Sequence, residues 1–137
     1  MTNDHRSFFS SKNAVLGALA VLPALLLAAP AAHSAAPDGD PAAGKKSFSL
    51  CLGCHTATPG KNGFGPSLVG AFGRESGDAP GYNYSNAMKS AHIEWDAASL
   101  DKFLTNPQAM VHGTKMSITV PNADTRSNII AYLATLK

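Results

Sequence analysis

The chain has only two cysteines in 137 residues, Cys51 and Cys54. Two thiols cannot build a four-cysteine zinc or iron–sulfur site, nor can they supply a disulfide framework. Charge is also scarce: Asp, Glu, Lys and Arg make up 15% of the residues, and the formal net charge is +2. Arg6 and Lys12 against Asp4 leave +1 before residue 37, and nine basic against eight acidic residues leave +1 after it. So even a balance argues against a nucleic-acid binder, which needs a clustered basic surface. No period of about 20 to 50 residues recurs, which excludes a repeat architecture. Convincing apolar–polar alternation is missing too, so no sheet is expected.

One long run carries no charge at all. From Ala14 to Ala29 the chain reads AVLGALAVLPALLLAA, preceded by polar residues with Arg6 and Lys12 and followed by small residues up to Ala36. A basic flank, an apolar stretch and a small-residue zone are the three parts of a secretory signal peptide. Ala32 and Ser34 occupy the two positions a signal peptidase reads, so residues 1–34 are expected to be removed, with cleavage within 32–36. The alternative is an uncleaved membrane anchor, but sixteen apolar residues interrupted by Pro23 fall short of a span of about 20. Residues 37–137 remain as one domain, small for a self-sufficient core.

The periodicity of that domain predicts an all-α fold. Asp40 caps a helix with Pro41 at its first position, running through Phe48 toward Cys51. A Gly/Pro-rich loop from Thr56 to about Tyr82 must be tied to something besides itself. Ser85 caps a short helix to about Ala91, and Asp96 caps another with Leu100, Phe103 and Leu104 on one face, stopped by Pro107. A second loop spans Pro107 to Pro121, and a last helix runs from about Asn122 to Leu136. Four short helices and two long loops bury too little apolar area to offset chain entropy. Something large and apolar should fill the middle.

Cys51-Leu52-Gly53-Cys54-His55 is the C-x-x-C-H attachment signature for c-type haem. Two thiols about one helical turn apart can add across two vinyl groups on the porphyrin edge, and the adjacent histidine offers a ring nitrogen to the iron. A dithiol redox centre is the first alternative, but that motif belongs beside a βαβ pattern. A structural disulfide closing so tight a loop would add little stability.

The wider pattern resembles the class I cytochromes c, of the mitochondrial and bacterial periplasmic single-haem kind. It comprises Gly44-x-x-x-Phe48 before the motif, then Gly65-Pro66-x-Leu68-x-Gly70-x-x-Gly73-Arg74 and Tyr82-x-Tyr84. Trp95, Leu100-x-x-Phe103-Leu104-x-Asn106-Pro107 and Gly113-Thr114-Lys115-Met116 complete it. The resemblance implies four to five short helices wrapped around one haem c, held covalently by Cys51 and Cys54. It implies His55 and Met116 as the two iron ligands, with Met88 and Met110 the rival methionines. It places the partner of the second His55 nitrogen at the Pro66 carbonyl, and it makes Arg74, Tyr84 and Trp95 donors to the haem propionates. Asn83 and Thr114 are further candidates for that duty. Gly44 and Phe48 against Ile129 and Tyr132 read as the crossing of the first and last helices.

The sequence departs from this pattern at five places. Phe103 stands where the family usually has a tyrosine that reaches the methionine sulfur. Met88 replaces a buried asparagine, and His112 replaces a proline. Gln108 and Ala109 replace two lysines beside the exposed haem edge, which weakens any electrostatic docking. A neutral His112 offers a nitrogen that ferric iron prefers to a thioether, so it can compete with Met116 as pH rises; in the family a lysine does this, and Lys115 is its counterpart.

The function expected is that of a soluble, monomeric periplasmic one-electron carrier, serving redox proteins and neither an enzyme nor a binder of nucleic acid. The alternative is a haem enzyme or gas sensor whose sixth position opens. An anchored cytochrome subunit would differ only in keeping the leader.

Overall fold

The computed structural model describes residues 37–137. The expected leader, residues 1–34, lies outside them. Helix α1 spans Pro41–Ser47 and passes into a 3-10 turn, Phe48–Leu50; α2 is Asn86–Lys89, α3 Ala97–Thr105, α4 Pro107–Met110 and α5 Ala123–Thr135. Among the described residues no strand forms, and one isolated bridge joins Glu75 to Glu94.

The helices begin where local chemistry stops the chain from beginning elsewhere. The Asp40 carboxylate accepts from the Ala42 N–H at 2.8 Å, and Pro41 takes the first position, where a missing N–H costs nothing. Ser85 accepts from the Met88 N–H. Asp96 and Ser99 each accept from the other's backbone N–H, at 2.7 and 2.9 Å. Asn122 caps α5 through the Thr125 N–H.

Two expectations need correction. Pro107 does not open a loop: it is the first residue of α4, with the Asn106 side chain accepting from the Ala109 N–H. A proline that ends one helix is equally suited to start the next. The helix after Ser85 stops at Lys89 rather than Ala91: Ser90 leaves helical geometry at φ −93° and ψ 1°, and His92 follows at a φ of 48°.

Helices α1 and α5 cross in close contact. A Cβ on Gly44 would lie 1.9 Å from the Asn128 carbonyl oxygen and 2.8 Å from Tyr132 Cβ. One turn on, Phe48 meets Tyr132 edge to face, with ring centroids 5.1 Å apart. Gly44→Ala gains about 1 kcal/mol of helix propensity but forces the axes apart against backbone, at about 3 kcal/mol. The melting temperature is therefore expected to fall by about 10 °C in thermal denaturation of the holoprotein. An unchanged or raised value would show that the helices do not cross here.

The apolar cluster gathers Ile129, Ile130 and Leu133 of α5 and Leu100, Phe103 and Leu104 of α3, with Phe48, Met88 and Trp95 buried in it as well. The long Gly/Pro-rich loop is moored outside itself, as expected. Gly70 N–H donates to the Leu136 carbonyl at 2.7 Å, Gly73 N–H to Trp95 at 2.8 Å and Ser76 N–H to Ile93 at 2.7 Å.

Candidate functional site

The 3-10 turn delivers the C-x-x-C-H motif. Cys51 N–H donates to the Phe48 carbonyl, and the Cys54 and His55 N–H groups both donate to the Cys51 carbonyl, at 3.1 and 2.9 Å. This turn sets the thiols one helical turn apart, Cys51 half-buried, Cys54 exposed, and unbridged. Burial pushes the Cys51 thiol up to about 11. A dithiol redox centre needs the opposite shift, toward the thiolate.

His55 is held from two sides. Its Nδ1 lies 2.8 Å from the Pro66 carbonyl oxygen. A carbonyl only accepts, so Nδ1 carries the proton and the lone pair of the neutral ring sits on Nε2. On the other side, the Gly65 backbone lies against the imidazole: a Cβ there would fall 2.4 Å from Cε1 and 2.6 Å from Nδ1. Gly65 N–H donates to the Cys54 carbonyl at 2.7 Å, which fixes that approach. The sequence pattern contained Gly65, but its purpose appears only in space.

Arg74 and Tyr84 come together in a second group. Arg74 Nη1 donates to the Val69 carbonyl at 3.2 Å and Nη2 to Ser67 at 3.4 Å. Arg74 Nε is buried with no partner among the described residues. Burial raises the Tyr84 phenol above its ordinary range, and the neighbouring Arg74 guanidinium opposes that shift. Trp95 joins this group through its main chain, its N–H donating to the Arg74 carbonyl at 2.9 Å, while its buried ring packs on Phe103 at 4.9 Å. A buried N–H of a cationic group calls for an acceptor, and a haem carboxylate has that chemistry. The residues present fit the cofactor.

Met116 is half-buried and packs on the same apolar cluster as Cys51 and Tyr84. Its loop is moored by the Lys115 ammonium, which donates to the Asn83 carbonyl at 2.7 Å, and by Val120 N–H, which donates to Leu104 at 2.8 Å. The Thr114 hydroxyl faces the Met116 N–H. Of the rivals, Met88 is buried in the cluster and Met110 is half-buried beside it. Sequence reasoning missed Arg126. This buried residue donates from Nε to Asp101 at 2.7 Å and from Nη1 to the Val120 and Pro121 carbonyls, at 2.9 and 2.8 Å. It ties the end of the Met116 loop to α3 and α5.

The sequence profile of the cytochrome c family matches residues 41–137. Cytochrome c2 of Rhodopila globiformis is 49% identical over 104 residues, covering 74% of this chain and 98% of that protein. Cytochrome c of Euglena viridis is 50% identical over 101 residues, covering 72% and 99%. Among solved structures, cytochrome cH from Methylobacterium extorquens aligns with a TM-score of 0.67 at 42% identity, covering 71% of this chain and 99% of that one. With the attachment turn, the oriented histidine and the partnerless Arg74 Nε already in place, the chain belongs to the cytochrome c family, an electron carrier and not an enzyme, with one haem c bound through Cys51 and Cys54.

Proposed function

We propose that this chain is a soluble periplasmic one-electron carrier whose iron is closed on both faces, by His55 Nε2 and the Met116 sulfur. The observation that carries this reading is the Nδ1 bond to Pro66, which commits the free lone pair to Nε2. When bound, the haem supplies the one-electron couple. Cys51 and Cys54 keep it from dissociating. The Met116 thioether raises the reduction potential relative to a second histidine. With the haem bound, Arg74 Nε would donate to a propionate, with Tyr84 and Trp95 as the further donors. The partners are redox proteins. Exposed Leu50 and Leu52 flank Cys51, and exposed Ile118 follows Met116, which favours apolar contact over strong charge steering.

Intact mass of protein released from the periplasm tests this placement. The expected mass is that of residues 35–137 plus one haem, from a monomer in solution. A full-length chain recovered with membranes would overturn it and favour the anchored subunit.

A second expectation concerns His112, which is exposed. Lys115, the other nitrogen nearby, is held by Asn83. An imidazole nitrogen is a ligand that ferric iron prefers to a thioether. In a pH titration of the ferric protein, followed by the Met–iron charge-transfer band, His112→Pro should move loss of the band to higher pH. Lys115→Ala should not. A midpoint that His112→Pro leaves unmoved would make His112 an ordinary surface residue.

A further inference from the structure

We propose that Gln108 is a positioning residue for the sixth iron ligand, bracing the Met116 loop through both hydrogens of its carboxamide. This rests on Met116 being that ligand. Gln108 Nε2 donates to the Thr114 carbonyl at 2.7 Å and to the Met116 carbonyl at 3.0 Å. Both partners only accept, so the NH2 end must face them and the orientation of the amide is settled. The two carbonyls bracket Lys115 and Met116. Fixing both therefore fixes the stretch of backbone from which the Met116 side chain projects.

The brace has a rigid base. Gln108 sits in α4, where Pro107 is fully buried, Asn106 caps the helix and Val111 N–H donates back to the Pro107 carbonyl at 2.9 Å. Elsewhere the loop is moored at Lys115, which donates to Asn83, and at Val120 and Pro121, but the Met116 main chain itself has little else to hold it. Met116 N–H reaches the Thr114 hydroxyl only at 3.4 Å, and residues 117–119 are exposed. Phe103, buried in the cluster that Met116 packs against, carries no donor for the sulfur. Local opening of such a segment is cheap unless bonds made only in the closed state oppose it. The Gln108 pair supplies two, and nothing in helix α4 itself requires them.

An outside ligand can reach ferric iron only when Met116 leaves. Its apparent affinity is its intrinsic affinity multiplied by the fraction of molecules with the loop open. Removing two partly exposed hydrogen bonds should raise that fraction about fivefold. The probe is imidazole, titrated into the ferric holoprotein and followed by absorbance, in wild type, Gln108→Met, Gln108→Glu and Gln108→Lys. Gln108→Met loses both bonds and should bind imidazole about fivefold tighter. Gln108→Glu keeps the shape but turns a donor into an acceptor facing two carbonyls, so its affinity should rise further. Gln108→Lys can still donate and should return toward wild type. Equal affinities in all four proteins overturn the inference, as does a lower melting temperature with unchanged affinity, which is the mark of a merely structural residue. If wild type lacks a thioether–iron band from the start, the ligand assignment itself fails, and the two failures are distinguished by that spectrum.

Discussion

The double variant Cys51→Ala/Cys54→Ala is expected to lose its cooperative thermal transition and most of its helical signal. Among the described residues only α3 and α5 are longer than seven residues, and α2 and α4 have four each. Helices this short do not persist alone; those under about 12 residues are marginal in water and depend on tertiary packing. The packing available is one apolar cluster, in a domain whose long loop contributes few buried side chains. Covalent haem adds a large apolar body that the chain cannot replace. Without the tether the loss should reach the whole folding free energy, about 5 kcal/mol or more. Far-UV circular dichroism against temperature measures it. A haem-free double variant as helical and as heat-resistant as wild type would show that the polypeptide makes its own core.

Gly65→Ala is expected to disrupt the histidine side of the iron with the haem still attached. The new Cβ would meet Cε1 at 2.4 Å, about 1 Å inside ordinary contact. Neither neighbour can yield easily. The backbone at Gly65 is fixed by its bond to Cys54 and by Gly63 N–H, which donates to the Gly65 carbonyl at 2.9 Å; the ring is fixed by Pro66. The ring is a side chain and the other two are backbone, so the ring moves and its Nδ1 bond breaks. Nε2 then leaves the position set for the iron. Stability should fall by about 3 kcal/mol, as for overpacking, and the resting spectrum should gain a high-spin component. Absorbance of the ferric and ferrous forms checks this. A spectrum and potential identical to wild type would mean that Gly65 and His55 do not approach as closely as the structure places them.

Much of this arrangement is legible in the residues because its causes are local. Asp40-Pro41, Ser85, Asp96 and Asn122 announce helix starts, since each cap bonds to a backbone N–H two or three residues on. The attachment motif is legible for the same reason: its spacing is its chemistry. Pro107 shows the ambiguity of a residue that can end one helix or begin another, and only the Asn106 side chain turned back on Ala109 decides it. The features that escaped are those made by distant pieces of chain. Arg126 meets Asp101 across 25 residues of sequence. Gly65 is needed because of where His55 sits, and a glycine in a Gly/Pro-rich loop gives no sign of that. Gln108 reads as a lost charge until the loop folds back and presents two carbonyls to it.

The closed iron is tested most directly by the ferric absorbance spectrum at neutral pH, recorded for wild type and for Met116→Ala. Low-spin wild type with a thioether–iron charge-transfer band is expected, with complete loss of that band in Met116→Ala. A high-spin wild-type spectrum, or a band that survives without the Met116 side chain, would contradict it.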